Sequence, residues 1–509
     1  MKYMTGNEIR EKFLKFFEDR GHLILPSASL IPQDDPTLLL IGAGMAPFKP
    51  FFTGKMKPPS PRIATCQKCV RTGDIENVGR TARHHTYFEM LGNFSFGDYF
   101  KKEIIPWSWE FVTKELGIPA DKLWITIHTE DDEAFDIWHN VVGLPEERIV
   151  RLEENFWEIG SGPCGPCSEI HVDLGEERGC GKPTCAVGCD CDRFLEIWNL
   201  VFTQYNQNED GTYTPLANKN IDTGAGLERL ASVLQGKPSN FETDLIFPII
   251  EYASEVAAVE YGRERKTDIS LKVIADHARS MTFMIADGIL PSNEGRGYVL
   301  RRILRRAVRH GRLIGIDKMF LVGAVDVVIE MYGHVYPNLV EKREYIQKVI
   351  EMEETSFLRT LRQGSELLSD EIAKLEAAGA TILDGATAFK LNDTFGFPWE
   401  LTAEILEENG MTMDKAGFDA ALEVQRKMAR EARDDKACRP VIYNTRGIDI
   451  ASLKVDEAAD TGKIVMLYPA HDAQPIENAE DGKDVAVILD VTAFHAEGGG
   501  QLGDLGRIT

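Results

Sequence analysis

Hydrophobic residues near the start of the chain recur every three or four positions, the spacing of a helix with one buried face. Thr5 and Glu8 stand three residues apart, as in a capping box, so this helix should begin just after Thr5. The pattern predicts an amphipathic helix within Met1–His22 rather than a cleaved leader. Its buried face would carry Ile9, Phe13, Phe16 and Phe17.

Short runs of β-branched and aromatic residues predict strands in the first half of the chain, at Arg62–Val70, Leu123–His128 and Ile197–Phe202. From about residue 241 to 435 the apolar period becomes helical, with few prolines between Leu339 and Ala378. A break follows at Asp434–Arg439, and strand-like runs return at Lys463–Leu467 and Asp484–Leu489. We therefore predict an α+β chain with domains at 1–240, 241–440 and 441–509.

Composition narrows the classes of protein. The 509 residues include 57 Lys and Arg against 81 Asp and Glu, a formal net charge of -24. Taken alone, that charge argues against a nucleic-acid partner, because phosphates attract a positive surface. No apolar run reaches the ~20 residues of a membrane span. Nine cysteines, an odd number, do not indicate a disulfide scaffold, so we expect a protein of the reducing cytoplasm.

One predicted helix departs from the acidic average. Between Arg296 and Arg312 there are seven arginines and no acidic residue. On a helix, the arginines from Arg301 to Arg312 would lie within an arc of about 140°. Arg301, Arg305 and Arg306 are among them. Such a face repels itself and needs partners. The protein's own acidic residues and a phosphate backbone are both candidates.

Three segments combine polar, aromatic and glycine residues as active sites do. Pro61–Gly97 predicts two strands around a charged loop, with Arg71 placed to hold an anionic phosphate. Asn155–Glu169 contains two Gly-Pro pairs beside Trp157, which predicts a tight loop instead of a helix or regular strand. Asn220–Leu234 places Asp222 before a Gly-x-Gly turn at a helix start, where anions are favoured.

A cluster of cysteines follows at Gly179–Arg193. Four thiols within twelve residues, among Gly and Pro turns, could wrap a tetrahedral Zn²⁺, or could form an exposed reduced loop. The C-x-C step is tighter than the usual C-x2-C knuckle, so the spacing leaves both alternatives open. The four residues are Cys180, Cys185, Cys189 and Cys191.

The strings RHHTYFEMLGNFSFGDYFK, GPCGPCSEI, IDTGAGLERL and LNDTFGFPWELT, together with the arginine-rich stretch, closely resemble the alanyl-tRNA synthetase family of class II aminoacyl-tRNA synthetases. The resemblance runs from Glu8 to the end of the chain. It implies an antiparallel catalytic sheet flanked by helices, a mainly helical tRNA-recognition domain and a small β-barrel module. Relatives continue into an editing domain, so an N-terminal fragment, monomeric as such, is the expectation.

The resemblance also implies roles for individual residues. ATP would be held by Arg71 and Arg229, with His84, Glu89 and Phe94 in the same site. Alanine would be bound by Trp157, Asn199, Asp222 and Gly224. The tRNA(Ala) acceptor stem would be read by Asn293 and Asp393, with Arg301, Arg305 and Arg306 on its phosphates.

The reaction so implied joins alanine to Mg-ATP as alanyl-adenylate and passes the alanyl group to the tRNA 3′ end. ATP and Mg²⁺ are the expected cofactors, with Zn²⁺ if the four cysteines bind metal. Two other functions compete. The chain could adenylate an amino acid for an acceptor other than tRNA, or could be a zinc-binding nucleic-acid module without catalysis.

Overall fold

The computed structural model describes residues 1–33, 35, 38–73, 75–158, 161–189, 191–433, 453–455, 461–469, 474–479 and 482–494. The chain divides into two compact units, Met1–Leu367 and Leu368–Thr509. The boundaries predicted at residues 240 and 440 stay a prediction, and the second of them lies outside the described residues.

A mixed sheet forms the centre of the first unit. Its neighbours run in the order β1-β2-β3-β9-β8-β7-β4-β5, with β6 paired to β7. Only the two outer pairs of that order, β1–β2 and β4–β5, are parallel among the described strands. The strands are β1 (Leu23–Ile24), β2 (Arg62–Val70), β3 (Tyr87–Phe96), β4 (Leu123–His128), β5 (Ile149–Leu152), β6 (Phe156–Trp157), β7 (Gly162–Asp173), β8 (Phe194–Gln207) and β9 (Tyr213–Gly226).

Helices accompany this sheet and fill the rest of the unit. They are α1 (Gly6–Glu18), α2 (Lys49–Phe52), α3 (Lys101–Glu110), α4 (Asp132–Asp136), α5 (Leu227–Leu234), α6 (Phe247–Ala257), α7 (Arg265–Ala286), α8 (Gly295–Leu313), α9 (Leu321–Tyr332), α10 (Pro337–Glu341) and α11 (Arg343–Ala378), which crosses the unit boundary. None of the helices in the described part of the chain combines the length and apolar character of a membrane span.

Helix α1 confirms the first predicted element. The Thr5 side chain accepts from the Glu8 N–H, and the Glu8 carboxylate accepts from the Thr5 N–H, so both halves of the capping box are formed. Its apolar face is buried, and the Phe13 ring lies 5.6 Å from the ring of Trp198 on β8. The helix thus packs on the strand that carries part of the site described below.

The prediction of a loop for the two Gly-Pro pairs was wrong, because they lie in β7. The register with β8 shifts between Cys164 and Cys167. Pro166, which has no backbone N–H to donate to the neighbouring strand, is accommodated at this irregularity. A Cβ on Gly165 would stand 2.2 Å from the Phe202 carbonyl oxygen, so only glycine permits this close pairing. The irregular strand brings Gly165 opposite Trp157 on β6.

The second unit contains helices of different lengths and short strands. They are β10 (Ile382–Leu383), α12 (Gly385–Asp393), α13 (Trp399–Glu408), β11 (Thr412–Met413), α14 (Lys415–Arg433), β12 (Lys454–Val455), β13 (Ile464–Pro469), β14 (Val485–Leu489) and β15 (Val491–Thr492). β13 and β14 pair antiparallel, in line with the two predicted strand runs. The predicted break at Asp434–Arg439 lies outside the described residues.

Candidate active site

A cavity of about 270 Å³ opens on one face of the central sheet. Side chains on a strand alternate between faces, so every second residue of β3, β8 and β9 lines the cavity. The register places Asn199 opposite Gly224 and Val201 opposite Asp222. These alternating positions are Phe88 and Met90 on β3, Ile197, Asn199 and Val201 on β8, and Asp222, Gly224 and Gly226 on β9.

Asp222 is a buried carboxylate, 5% exposed, at the cavity wall. No hydrogen bond or ion pair reaches its side chain from the described residues. Burial alone therefore acts on it and raises the pKa of Asp222 to about 7. An unpaired buried carboxylate is costly, and a cation entering the cavity would relieve that cost.

Asn199 and Gly224 face each other beside this carboxylate. The Asn199 Nδ2 donates to Glu169 Oε1 at 3.1 Å, and its Oδ1 is buried without a partner among the described residues. Asn199 therefore offers an acceptor oxygen to the cavity. A Cβ on Gly224 would lie 2.8 Å from the Met90 Sδ, so glycine keeps open a space for a small substrate.

Two of the predicted arginines reach the same cavity. Arg71 Nε donates to the Gly42 carbonyl at 2.9 Å, and its guanidinium carbon lies 5.1 Å from the centre of the Phe88 ring. Arg229 Nη1 pairs with Glu196 Oε2 at 2.7 Å. Burial would raise the pKa of Glu196, but the Arg229 guanidinium lowers it below its ordinary value, so Glu196 is ionised.

His84, Glu89 and Phe94 are placed differently from one another. His84 lines the cavity, and its Nδ1 lies 2.8 Å from the Thr81 hydroxyl. Glu89 is fully buried behind the wall, where Arg10 donates to both of its carboxylate oxygens. Phe94 is in the hydrophobic core, 4.9 Å from the Phe48 ring. Direct ATP contact by Glu89 and Phe94 stays a prediction that their burial does not support.

Sequence reasoning missed several residues of the cavity wall. Phe88 and Met90 could have been found together, because alternate residues of one predicted strand share a face. Glu196 carried no local signal, because its partner Arg229 is 33 residues away in the sequence. The missed wall residues include Arg83, His85, Phe88, Met90, Glu169, Glu196 and Glu228.

The basic helix is α8, and its charge is largely compensated by the protein itself. Glu353 on α11 accepts hydrogen bonds from Arg301 Nη2 at 3.4 Å and from Arg305 Nε at 3.0 Å. Arg306 is buried, and its Nη1 lies 3.1 Å from His277 Nε2. Of the two candidate partners, acidic residues of the same chain are therefore present for this face.

The proposed readers of the acceptor stem are both exposed. The Asn293 Oδ1 accepts a hydrogen bond from Arg301 Nη1, which joins it to the basic helix. Asp393 is the last residue of α12, in the second unit.

The thiol loop, residues 179–193, gathers its four cysteines as predicted for a metal site. Their sulfur atoms all lie within 4.8 Å of one another. The Cys180–Cys189 and Cys185–Cys191 sulfur pairs are both 3.7 Å apart. Zn–S bonds of about 2.3 Å at the tetrahedral angle would place sulfurs about 3.8 Å apart, so the four thiols fit Zn²⁺.

The family model for "tRNA synthetases class II (A)" matches residues 8–509. The chain therefore belongs to the class II tRNA synthetases, whose α+β fold agrees with the central antiparallel sheet. It is 58% identical to the alanine–tRNA ligase of Thermoanaerobacter sp. (strain X514) over 99% of this chain and 58% of that protein. It is 56% identical to the alanine–tRNA ligase of Pelotomaculum thermopropionicum, with the same coverage.

The chain thus spans 58% of the length of these curated relatives. Among solved structures, pyrrolysyl-tRNA synthetase from Desulfitobacterium hafniense is similar at 14% identity and a TM-score of 0.27, covering 48% of this chain and 74% of that one. A TM-score this low adds nothing to the family match.

Proposed function

We propose that this chain is the aminoacylating part of an alanine–tRNA ligase. It would activate alanine with Mg-ATP and transfer it to the 3′ end of tRNA(Ala). The observation that carries the proposal is the unpaired buried carboxylate of Asp222, in one cavity with Arg71 and Arg229. Such a cavity suits a small zwitterion beside a triphosphate.

The two substrates would occupy different parts of the wall. The alanine ammonium would pair with Asp222 and donate to Asn199 Oδ1, while Gly224 leaves room for the substrate and Trp157 limits the space for its side chain. Arg71 and Arg229 would hold the ATP phosphates and adenine, and Phe88 offers a ring face for the base. Mg²⁺ would arrive on the ATP phosphates.

The chemistry then needs positioning more than covalent help. An oxygen of the alanine carboxylate attacks the α-phosphorus, pyrophosphate leaves, and arginine neutralises the charge that develops. In the second step a ribose hydroxyl of the tRNA attacks the carbonyl carbon and AMP leaves. Alanine-dependent ATP–pyrophosphate exchange followed by tRNA charging tests the two steps separately. Alanine-dependent exchange without charging of tRNA(Ala) would favour the adenylating enzyme with another acceptor.

Recognition of the acceptor stem is proposed for Asn293 and Asp393, with Arg301 and Arg305 beside Asn293. Arg306, being buried, would brace the helix rather than touch a phosphate. We expect Asn293→Ala to reduce charging kcat/KM about 10- to 100-fold, the range of one base-reading contact. The ATP–pyrophosphate exchange should be unchanged. Equal loss in both assays would contradict the role, and the exposed neighbour Ser292→Ala serves as the control.

Zn²⁺ is proposed for the thiol loop, where it would fix the loop rather than enter the reaction. The support for the proposal is the geometry of the four sulfur atoms, which all lie within 4.8 Å of one another. We expect one zinc per purified chain by elemental analysis, and none in the Cys185→Ser/Cys189→Ser variant. Unchanged zinc content in that variant would refute the site, and Cys69→Ala controls for loss of an unrelated buried thiol.

We further propose that the fragment acts as a cytoplasmic monomer. The eight described cysteines are all free, which supports a reducing compartment. Light scattering of the purified chain measures its oligomeric state directly.

A further inference from the structure

One ion pair joins the thiol loop to the wall of the active-site cavity. Arg83 Nη1 donates to Asp192 Oδ1 at 2.7 Å. Arg83 is a wall residue of the cavity, and Asp192 directly follows Cys191, one of the four clustered thiols. The thiol cluster is therefore joined to an arginine of the cavity wall through the residue next to Cys191.

Asp192 is held from both sides. On one side the Cys191 sulfur lies 3.7 Å from that of Cys185 within the thiol cluster. On the other, Arg193 donates from two nitrogens to the Asp173 carboxylate on β7, each at 3.0 Å. The carboxylate of Asp192 is thus set by a cross-strand anchor and by the cluster, and it in turn orients Arg83, whose side chain is 18% exposed.

The cavity wall carries few positively charged side chains, and Arg83 is one of them. The segment after Arg71, residues 72–80, contains no lysine, and its Arg80 is exposed outside the cavity. In the described part of the chain, the guanidinium groups on the wall are those of Arg71, Arg83 and Arg229. The protein orients each of them, Arg71 by the Gly42 carbonyl, Arg229 by Glu196 and Arg83 by Asp192, and a triphosphate offers acceptor oxygens for all three.

We propose that Arg83 binds the polyphosphate of ATP, and that Asp192 positions it, so that ATP affinity depends on the arrangement of the thiol loop. This rests on the proposed function, because it assumes that ATP occupies the cavity. By linkage, a loop that has lost its thiol arrangement lowers the affinity for ATP, and bound ATP favours the ordered loop to the same degree.

Calorimetric titration of Mg-ATP into the alanine-free protein tests the first part. We expect Arg83→Ala to weaken ATP binding at least about tenfold, as for loss of one charge-assisted contact, with Arg83→Lys restoring part of it. Alanine binding should not change. Arg151→Ala, which removes an exposed arginine paired with Asp132, is the matched control and should bind ATP normally.

The second part is tested by Asp192→Asn and by the Cys185→Ser/Cys189→Ser variant. Each should weaken ATP binding. Because both act through Arg83, the combined variant should bind ATP as tightly as whichever of the two binds it less tightly. Tighter ATP binding in Asp192→Asn would overturn the positioning, since Asp192 would then hold Arg83 away. Normal binding in the cysteine variant would overturn the coupling.

The outcomes separate this inference from the proposed function. A wild-type chain that binds no ATP overturns both. If the wild type, Arg83→Ala and Arg83→Lys all bind ATP with equal affinity, the role of Arg83 is overturned and the proposed function is not. Thermal unfolding of each variant establishes that its fold is retained before the titrations are compared.

Discussion

Asp222→Asn is expected to lose about 100-fold in kcat/KM for alanine, measured by ATP–pyrophosphate exchange. The substitution keeps the shape of the side chain and removes its charge. Asp222 has no partner of its own among the described residues, so its charge is available to the substrate ammonium. Removing one member of a buried charge pair costs about 2–5 kcal/mol. A 100-fold fall in kcat/KM corresponds to about 2.7 kcal/mol, which lies within that range.

The control for this variant is Glu209→Gln, which neutralises an exposed carboxylate in the turn before β9. Its exchange activity should match that of the wild type. If Asp222→Asn kept its alanine kcat/KM within threefold, Asp222 would not be the ammonium partner, and the division of the cavity proposed above would fail.

The same variant should be more stable than the wild type at alkaline pH. Burial raises the pKa of Asp222 from an ordinary 3.8 to about 7, so the folded chain binds the proton more tightly than the unfolded chain. Stability is then lost as pH rises from about 4 to about 7. Asparagine removes that loss, with a gain above pH 7 bounded by about 4 kcal/mol at about 1.4 kcal/mol per pKa unit. Urea unfolding at pH 5 and pH 8 should show a larger gain at pH 8.

The helix and strands that were predicted correctly are those whose local sequence pattern alone determines them. The α1 helix is fixed by its cap and its apolar period, and β2 and β4 have the predicted bounds, because their residues favour strands without help from distant partners. For the two Gly-Pro pairs, the local sequence predicted a loop where the structure has a strand. A ladder that tolerates a missing N–H depends on the register of β8 with β7, which no local window contains.

The site shows the same division. Asn199, Asp222 and Gly224 fall on one face because strands alternate, and their motifs lie next to each other in the sheet. The counter-charges of α8 could not be located, since Glu353 is 52 residues from Arg301 and Glu76 is 226 residues from Arg302. Glu89 and Phe94 belong to the same strings as true wall residues. The pleat turns Glu89 to the opposite face of the sheet, whereas Phe94 lies on the face of the wall residues and is buried against Phe48.

Arg71→Ala is expected to reduce the rate of adenylate formation about 10²- to 10³-fold, the cost of removing one donor that stabilises charge in a transition state. Arg71 is the exposed guanidinium at the mouth of the cavity, oriented by the Gly42 carbonyl and lying against Phe88. Since the contact should strengthen as charge moves onto the phosphates, kcat should fall more than the affinity for ATP.

Arg80→Ala is the matched control for this variant, because Arg80 is an exposed arginine nine residues along the same connection and outside the cavity wall. Single-turnover formation of alanyl-adenylate measures the chemical step without product release. Arg71→Lys should recover only part of the rate, since an ammonium cannot donate two parallel hydrogen bonds to a phosphate. A fall in ATP affinity with an unchanged single-turnover rate would make Arg71 a binding residue and leave Arg229 to stabilise the transition state.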